Sequence, residues 1–447
     1  LCRIVQPSFC QICVSIVLDL PERDIGLPPD IEALPFSQSV STINKAYQNG
    51  GNILSQKQPV LTQRLIFIMA LTCGVVVANN YYLQPIETVI AKDFQVSNGA
   101  VGIAAMLTQF GYALGLLLLV PLGDIVNRRK LIIRMCLLSS LTLLGAYFAP
   151  TFWLFSLAAF LIGLVSIVPQ IIIPYGAVLA GPAKRGRVMG TLLGGLLVGI
   201  LLSRTVSGIV ASIWPWRTIY LMAVVVILAL ALTLKFTLPD PGHANRHKLS
   251  YWQTLATIPG LIKQHRVLWE AASNGFFMFG TFSLFWSTLI FYISSPVYHW
   301  GTREAGLLAI FGLFGALAAP LIGRLADRFS DRWLVLIGLL LETLAFIILM
   351  VGGQYIGLLV LSIILLDVGN QFGQVSNQTR VQNLGERISN RTNTVFMFSY
   401  FLGGSFGSLV GTLMWQSAGW FGVTAVGLVF QLCAYLCHFI IFHPKKA

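Results

Sequence analysis

The chain has 447 residues, 56% of them apolar and only 10% charged, with a mean hydropathy of +0.78. Soluble domains carry about 25% charged residues, so this composition excludes a soluble enzyme, a fibrous protein and a disordered chain, and leaves a multi-pass membrane protein in a lipid bilayer. The net charge of +13 comes without any basic stretch interleaved with stacking aromatics, so nucleic acid is not an expected partner.

Residues 1–63 differ from the rest. They hold five of the sixteen acidic residues, six of the nineteen prolines and no apolar run long enough to span. They read as a disordered N-terminal extension. The Cys10/Cys13 pair has CxxC spacing but no second pair or histidine cluster beside it, so neither a metal site nor a cofactor is expected.

From Arg64 onward long apolar runs alternate with short polar breaks. A span needs roughly 20 apolar residues, and the runs 65–90, 99–121, 131–149, 152–179, 189–213 and 217–238 fit one set of six. The polar segment 239–267 is the longest break and reads as a linker. A second set follows at 268–295, 304–322, 333–352, 355–378, 392–416 and 419–442, so 64–238 and 268–447 form two halves. Twelve spans put both termini on one side. The loops on the linker side hold twenty Lys/Arg, and the opposite loops hold only Lys92, Arg217 and Arg303. The positive-inside rule then places both termini in the cytoplasm and explains the net charge without a polyanion.

The halves echo each other at an offset of about 204 residues: Asp124 and Asp327, Gln170 and Gln374, Arg187 and Arg391, Gly208 and Gly411, Trp216 and Trp420. Several pairs in order at one offset mark a duplicated six-helix unit, the plan of transporters with parallel repeats. The loop after span 8, Gly323-Arg324-Leu-Ala-Asp327-Arg328 with Arg332, and its first-half copy, Asp124 with Arg128 and Arg129, resemble the loop signature of the major facilitator superfamily. The copy departs from it at Val120 and Ile125. Asn80-Tyr-Tyr-Leu-Gln84-Pro85, Leu202-Ser-Arg204-Thr-Val-Ser-Gly208 and Asn377-Gln-Thr-Arg380 resemble a bacterial branch labelled as predicted sugar or drug efflux permeases. The resemblance covers 65–442. It implies an all-α membrane protein, twelve transmembrane helices in two six-helix repeats, with spans 1, 4, 7 and 10 lining a central cavity. It also implies that the Asp124/Arg128/Arg129 and Asp327/Arg328/Arg332 loops gate the rocking of the halves.

Charges inside a span are costly, at least ~2.5–3.5 kcal/mol mid-helix, so the few present are candidates for function. Asp367 lies mid-span 10, and its run places Asn370, Gln371 and Gln374 on or near one helical face. A carboxylate in a narrow, partly dry cavity can carry a proton. Arg204, deep in span 5, could balance Asp367 or bind an anionic group. Glu87 near the outer end of span 1 completes a candidate proton and charge relay. Glu342 sits on a span the resemblance places outside the cavity and reads as a helix-pairing acid. Candidate substrate contacts are Asn79, Asn80, Tyr82 and Gln84 in span 1, Gln170 in span 4, and Asn370, Gln371 and Gln374 in span 10.

These features predict a secondary transporter, monomeric and in the cytoplasmic membrane, moving a small organic solute by alternating access with protons as coupling ion, in the direction of efflux. Span 5 lacks the Gly-Pro element common in drug antiporters of the superfamily, and span 4 lacks their arginine. An uptake symporter or uniporter therefore stays open, as does a non-transporting sensor on the same fold. Six scattered histidines with no HExxH or GxSxG element argue against an intramembrane enzyme.

Overall fold

The computed structural model describes residues 61–240, 258–326, 328–385 and 388–441. The N-terminal extension up to residue 60, most of the linker and Asp327 lie outside them, as does the side chain of Asp124. The described residues are helical, with no strand among them. Ten helices are long and apolar enough to cross a membrane; Gln63–Ala78 is shorter, and one of the ten, Arg391–Phe439, reverses at Gly419, which has φ 59°. The described residues therefore make twelve spans.

The first half holds α1 (Gln63–Ala78), α2 (Asn98–Leu118), α3 (Arg128–Phe148), α4 (Phe152–Gly181), α5 (Lys184–Ile213) and α6 (Thr218–Thr237). The second holds α7 (Arg266–Ile293), α8 (Thr302–Ala326), α9 (Asp331–Gly352), α10 (Ile356–Gln382), α11 (391–418) and α12 (420–439). Short polar residues set the starts. Thr62, Ser97 and Asn127 accept hydrogen bonds from Leu65, Ala100 and Lys130 backbone N–H at 3.2, 3.2 and 3.1 Å, satisfying donors that a helix start leaves free. The repeat extends to backbone geometry. Gly181 after α4 and Gly385 after α10, 204 residues apart, both have positive φ (67° and 143°), a region open chiefly to glycine.

Span 1 is not the continuous helix that its apolar run suggests. α1 ends at Ala78, residues 79–83 turn, a 3-10 turn covers Gln84–Ile86, and a separate helix runs Glu87–Phe94. Pro85 has no N–H to give and its ring would clash with the carbonyl four residues back. α4 is interrupted in the same way at Ser166 and Ile167, just before Pro169. The two breaks meet: Asn79 Nδ2 donates to Ser166 Oγ at 3.2 Å.

Large exposed apolar side chains lie on α3 (Leu141, Phe148), α6 (Val225, Leu232, Phe236), α9 (Leu340, Val351) and α12 (Val429, Leu432), and also on α1 (Phe67), α4 (Trp153), α5 (Ile213) and α8 (Leu317, Leu321). The first four are the outer spans that the resemblance implies, and all of these side chains offer the lipid its surface. Helices inside pack through glycine. A Cβ on Gly199 of α5 would sit 2.2 Å from Gly74 Cα of α1, and one on Gly407 of α11 would sit 2.0 Å from Gly280 O of α7. Such contacts let helices approach backbone to backbone where no hydrophobic drive operates between them.

The halves touch each other from mid-depth toward the face opposite the linker. There Ser405 Oγ of α11 donates to Met106 O of α2 at 3.1 Å, Thr205 Oγ1 of α5 donates to Gly306 O of α8 at 2.8 Å, and Gln416 Nε2 donates to Ser97 Oγ at 3.3 Å. This face is the closed one.

Candidate functional site

The break in span 1 is a site-building element. Its turn exposes backbone groups and aims short side chains inward. Tyr82 O accepts from Ser207 Oγ of α5 at 2.5 Å, and Gln84 Oε1 accepts from Arg204 Nε at 2.7 Å. Arg204 is 1% exposed. Its guanidinium lies over Trp286 (4.3 Å to the ring centroid), Tyr81 (4.9 Å) and Phe282 (5.6 Å), an aromatic cage that supports a cation electrostatically. Nη1 and Nη2 have no hydrogen-bond partner.

Asp367 of α10 is also buried, at 6% exposure, and interacts electrostatically with Arg204 without a direct hydrogen bond. Trp286 Nε1 lies beside the carboxylate but makes no well-formed hydrogen bond to it, and Oδ2 has no partner. The structure thus brings Arg204, Gln84 and Asp367 into one neighbourhood formed by both halves. Glu87 does not join them. It is fully buried, neither oxygen has a hydrogen-bond partner, and its electrostatic neighbour is Tyr220 of α6.

The other sequence candidates divide. Asn80 Nδ2 turns back to Val77 O at 3.3 Å, and Asn79 is used between helices. Gln170 Nε2 reaches the Tyr112 hydroxyl at 3.4 Å. Tyr112 packs on Phe401 (4.4 Å), and Phe401 and Tyr400 pack on Phe279, with Tyr400 stacked on it at 4.0 Å. Asn370 and Tyr400 bond both ways: Asn370 Nδ2 donates to the hydroxyl at 3.0 Å and the hydroxyl donates to Oδ1 at 3.1 Å. Gln170 and Asn370 thereby sit at two ends of an aromatic bridge across the halves. Gln371 and Gln374 are half-exposed on the same helix. Tyr112 and Tyr400 carried no sequence signal beyond their glycine- and aromatic-rich surroundings.

Of the loop residues, Arg128 Nε donates to Gly123 O at 2.8 Å and Arg129 bonds Lys235 O at the end of α6. Arg328 is exposed. Arg332 has a partner the sequence reading missed, Glu270, one turn inside α7. Glu270 Oε2 accepts from Arg380 Nη2 at 2.6 Å, and Arg332 Nε and His438 Nδ1 lie 3.2 and 3.3 Å from Oε1 without hydrogen-bonding to it. The available signal was an acid just inside a span on the face richest in arginine. Glu342 of α9, fully buried, bonds Gln431 of α12, which donates in turn to Thr281 of α7 at 3.1 Å. It fits the helix-pairing role expected of it.

No cluster of three or more metal-ligating side chains occurs among the described residues. The geometry offers a buried cation and a buried acid at a broken helix between two halves, an arrangement suited to binding and coupling.

The family model of the Major Facilitator Superfamily matches residues 67–310 and 295–447. The chain is 36% identical over 387 residues to the "Uncharacterized transporter YgaY" of Escherichia coli O157:H7, covering 87% of this chain and 98% of that protein. It is 31% identical over 360 residues to the "Probable transporter SCO4007" of Streptomyces coelicolor, covering 80% and 83%. In fold it resembles the crystal structure of a bacterial homologue of the human lysosomal transporter Spinster in an inward-facing, occupied conformation, with TM-score 0.67, 14% identity, and coverage of 84% of this chain and 96% of that one. The chain belongs to the Major Facilitator Superfamily: it is a multi-pass membrane transporter of small molecules, and not an enzyme.

Proposed function

We propose that the protein is a proton-coupled secondary transporter of a small organic solute, with Asp367 as proton carrier and Arg204 as its electrostatic partner. The observation that carries this reading is the pair itself. Arg204 of the first half and Asp367 of the second are both buried, interact through space, and keep N–H and oxygen atoms unbonded. Such groups inside a membrane persist where they serve transport. Alternating access then rocks 64–238 against 268–447, with the face opposite the linker closed in this state. The basic-loop count supports a cytoplasmic-membrane protein with both termini inside, so the closed face is the outer one. The pair is complete within one chain, which supports a monomer as the working unit.

The bacterial efflux resemblance supports export against incoming protons. A second reading, uptake together with the proton, is favoured by the Arg204–Asp367 interaction. Protonating Asp367 removes the countercharge of Arg204, so a proton and an anionic solute would help each other bind.

Purified protein in proteoliposomes, with a pH gradient imposed and candidate solutes offered, tests coupling. Asp367→Asn should abolish pH-driven accumulation while downhill exchange persists. Unchanged pH dependence in that variant would overturn the assignment. The sign of the gradient that drives accumulation separates export from uptake.

A further inference from the structure

Arg204 lies beneath a surface bowl on the face opposite the linker, the closed face in this state. Arg204 lines a small chamber of about 10 Å³ together with Gln84, Trp286, Ile290 and Ala305, which is room for about one water. One helical turn nearer the surface lies a bowl of about 930 Å³. The same three segments line both. Gln84 and Pro85 lead to Thr88 and Val89, Ile290 leads to Phe291 and Ser294, and Ala305 leads back to Thr302. Chamber and bowl are separate cavities in this state, lined by successive turns of the same segments.

The charged and titratable side chains lining the bowl are Lys92 and His299, and no Asp or Glu lines it. Three acids adjoin the lining in sequence, and none of them faces the bowl: Glu87, beside Thr88, is fully buried with Tyr220 as its electrostatic neighbour. Asp93 pairs with Arg217 and accepts from Trp216 Nε1 at 3.1 Å, and Glu304 accepts from the Gly301 backbone N–H at 2.9 Å. A concave surface lined by one sign of charge concentrates ions of the other. At the bottom stands a guanidinium that spends only Nε on the protein. Three aromatic rings lie with centroids 4.3–5.6 Å from the guanidinium carbon, and the buried Nη edge makes no hydrogen bond to the protein. That edge is a planar fork matched to a carboxylate. A neutral solute would offer the two Nη groups weaker acceptors than a carboxylate does, and a cationic one would meet the like charge of Arg204 with Asp367 alone to offset it.

We propose that the transported solute carries an anionic group, a carboxylate or similar oxyanion, which docks on Nη1 and Nη2 of Arg204. The inference rests on the transport reading and names its substrate class, but it does not require proton coupling.

The test is the thermal stability of the purified full chain against matched pairs: acetate and acetamide, benzoate and benzamide, nicotinate and nicotinamide, at millimolar concentration. At least one carboxylate should stabilise the protein where its amide does not. Arg204→Gln should weaken that carboxylate by about tenfold to a hundredfold, the loss expected for a charged hydrogen-bonded pair. Arg204→Lys keeps the charge without the fork and should retain a weakened preference, which serves where Arg204→Gln fails to insert. Asp367→Asn should bind the carboxylate as well as the parent or better, so a failure of proton coupling leaves this result standing. No carboxylate surpassing its own amide, or a preference that survives Arg204→Gln undiminished, would overturn the proposal.

Discussion

Glu270→Gln removes one negative charge from a place where three side chains converge. Arg380 loses most: its side chain is 9% exposed, its Nη2 sits 2.6 Å from Glu270 Oε2, and its Nη1 donates to Asn377 Oδ1 at 3.3 Å. Removing one partner of a buried pair costs about 3–5 kcal/mol, because the remaining charge stays buried. Glutamine keeps an acceptor oxygen, which moves the expectation to the lower end, about 3 kcal/mol. Arg332 is 29% exposed, and its share is screened to within about 1 kcal/mol. At ~2–4 °C per kcal/mol for a unit the size of one half, the variant should melt on the order of 10 °C lower. Scanning fluorimetry or circular dichroism on purified protein would read this. The double variant Glu270→Gln/Arg380→Met discards the stranded charge and should recover part of the loss. Glu270→Gln melting with the parent, or a double variant that loses the sum of both single effects, would refute the reasoning. Every partner of Glu270 lies in the second half, so the cluster braces α7, α9, α10 and α12 against each other.

Three more outcomes follow from particular contacts. Gly199→Ala puts a methyl 2.2 Å from the Gly74 backbone, and overpacking should cost about 1–3 kcal/mol; Gly190→Ala, which meets open space, should stay within about 0.5 kcal/mol on the same melt. Trp216→Phe gives up the bond to Asp93 but keeps ring contacts with Phe94, Phe155 and Tyr220, so it should lose about 1 kcal/mol against roughly 3–5 for Trp216→Ala. Tyr400→Phe strands the buried Asn370 amide and should cost about 1–3 kcal/mol, while Tyr400→Phe/Asn370→Leu should lie closer to the parent than either single variant; the order of the three melting temperatures checks it.

Much of the fold was legible because a bilayer simplifies the code. Span number and the positions of the halves follow from apolar length, and the repeat follows from pairs such as Gln170 and Gln374. Burial of Arg204, Asp367 and Glu342 was legible too, since a charge amid apolar residues in a span has few places to go. What the sequence could not give was direction around each helix. Hydropathy rates Asn79, Asn80 and Gln84 alike, yet the Pro85 break sends Gln84 to Arg204, Asn79 to Ser166 and Asn80 back to its own helix. Glu87 and Asp367 look equivalent as intramembrane acids; only packing shows that one stands near Arg204 and the other near Tyr220. Glu270 was missed because its partners come from three helices far apart in sequence.

The same packing links the outer closure to the charges. α8 presents glycine where it meets each of them. A Cβ on Gly306 would lie 2.9 Å from Arg204 O and 3.0 Å from Thr205 O, on the first half. Two turns on, a Cβ on Gly312 would lie 2.9 Å from Asp367 Oδ1, and one on Gly315 would lie 2.8 Å from Asp367 O. One helix therefore bears on the cation through one backbone contact and on the acid through two. The α5–α8 contact is also part of what closes the face opposite the linker, through Thr205 and Gly208 against Gly306 and Thr302. Parting the halves on that face must slide α8 along or away from α5, since interlocked backbones do not deform smoothly. Asp367 sits on the α8 side of that slip and Arg204 on the α5 side. On the proposed alternating-access reading, opening that face would change the separation of the two charges, and with it the electrostatic work of placing a proton on one or an anion on the other.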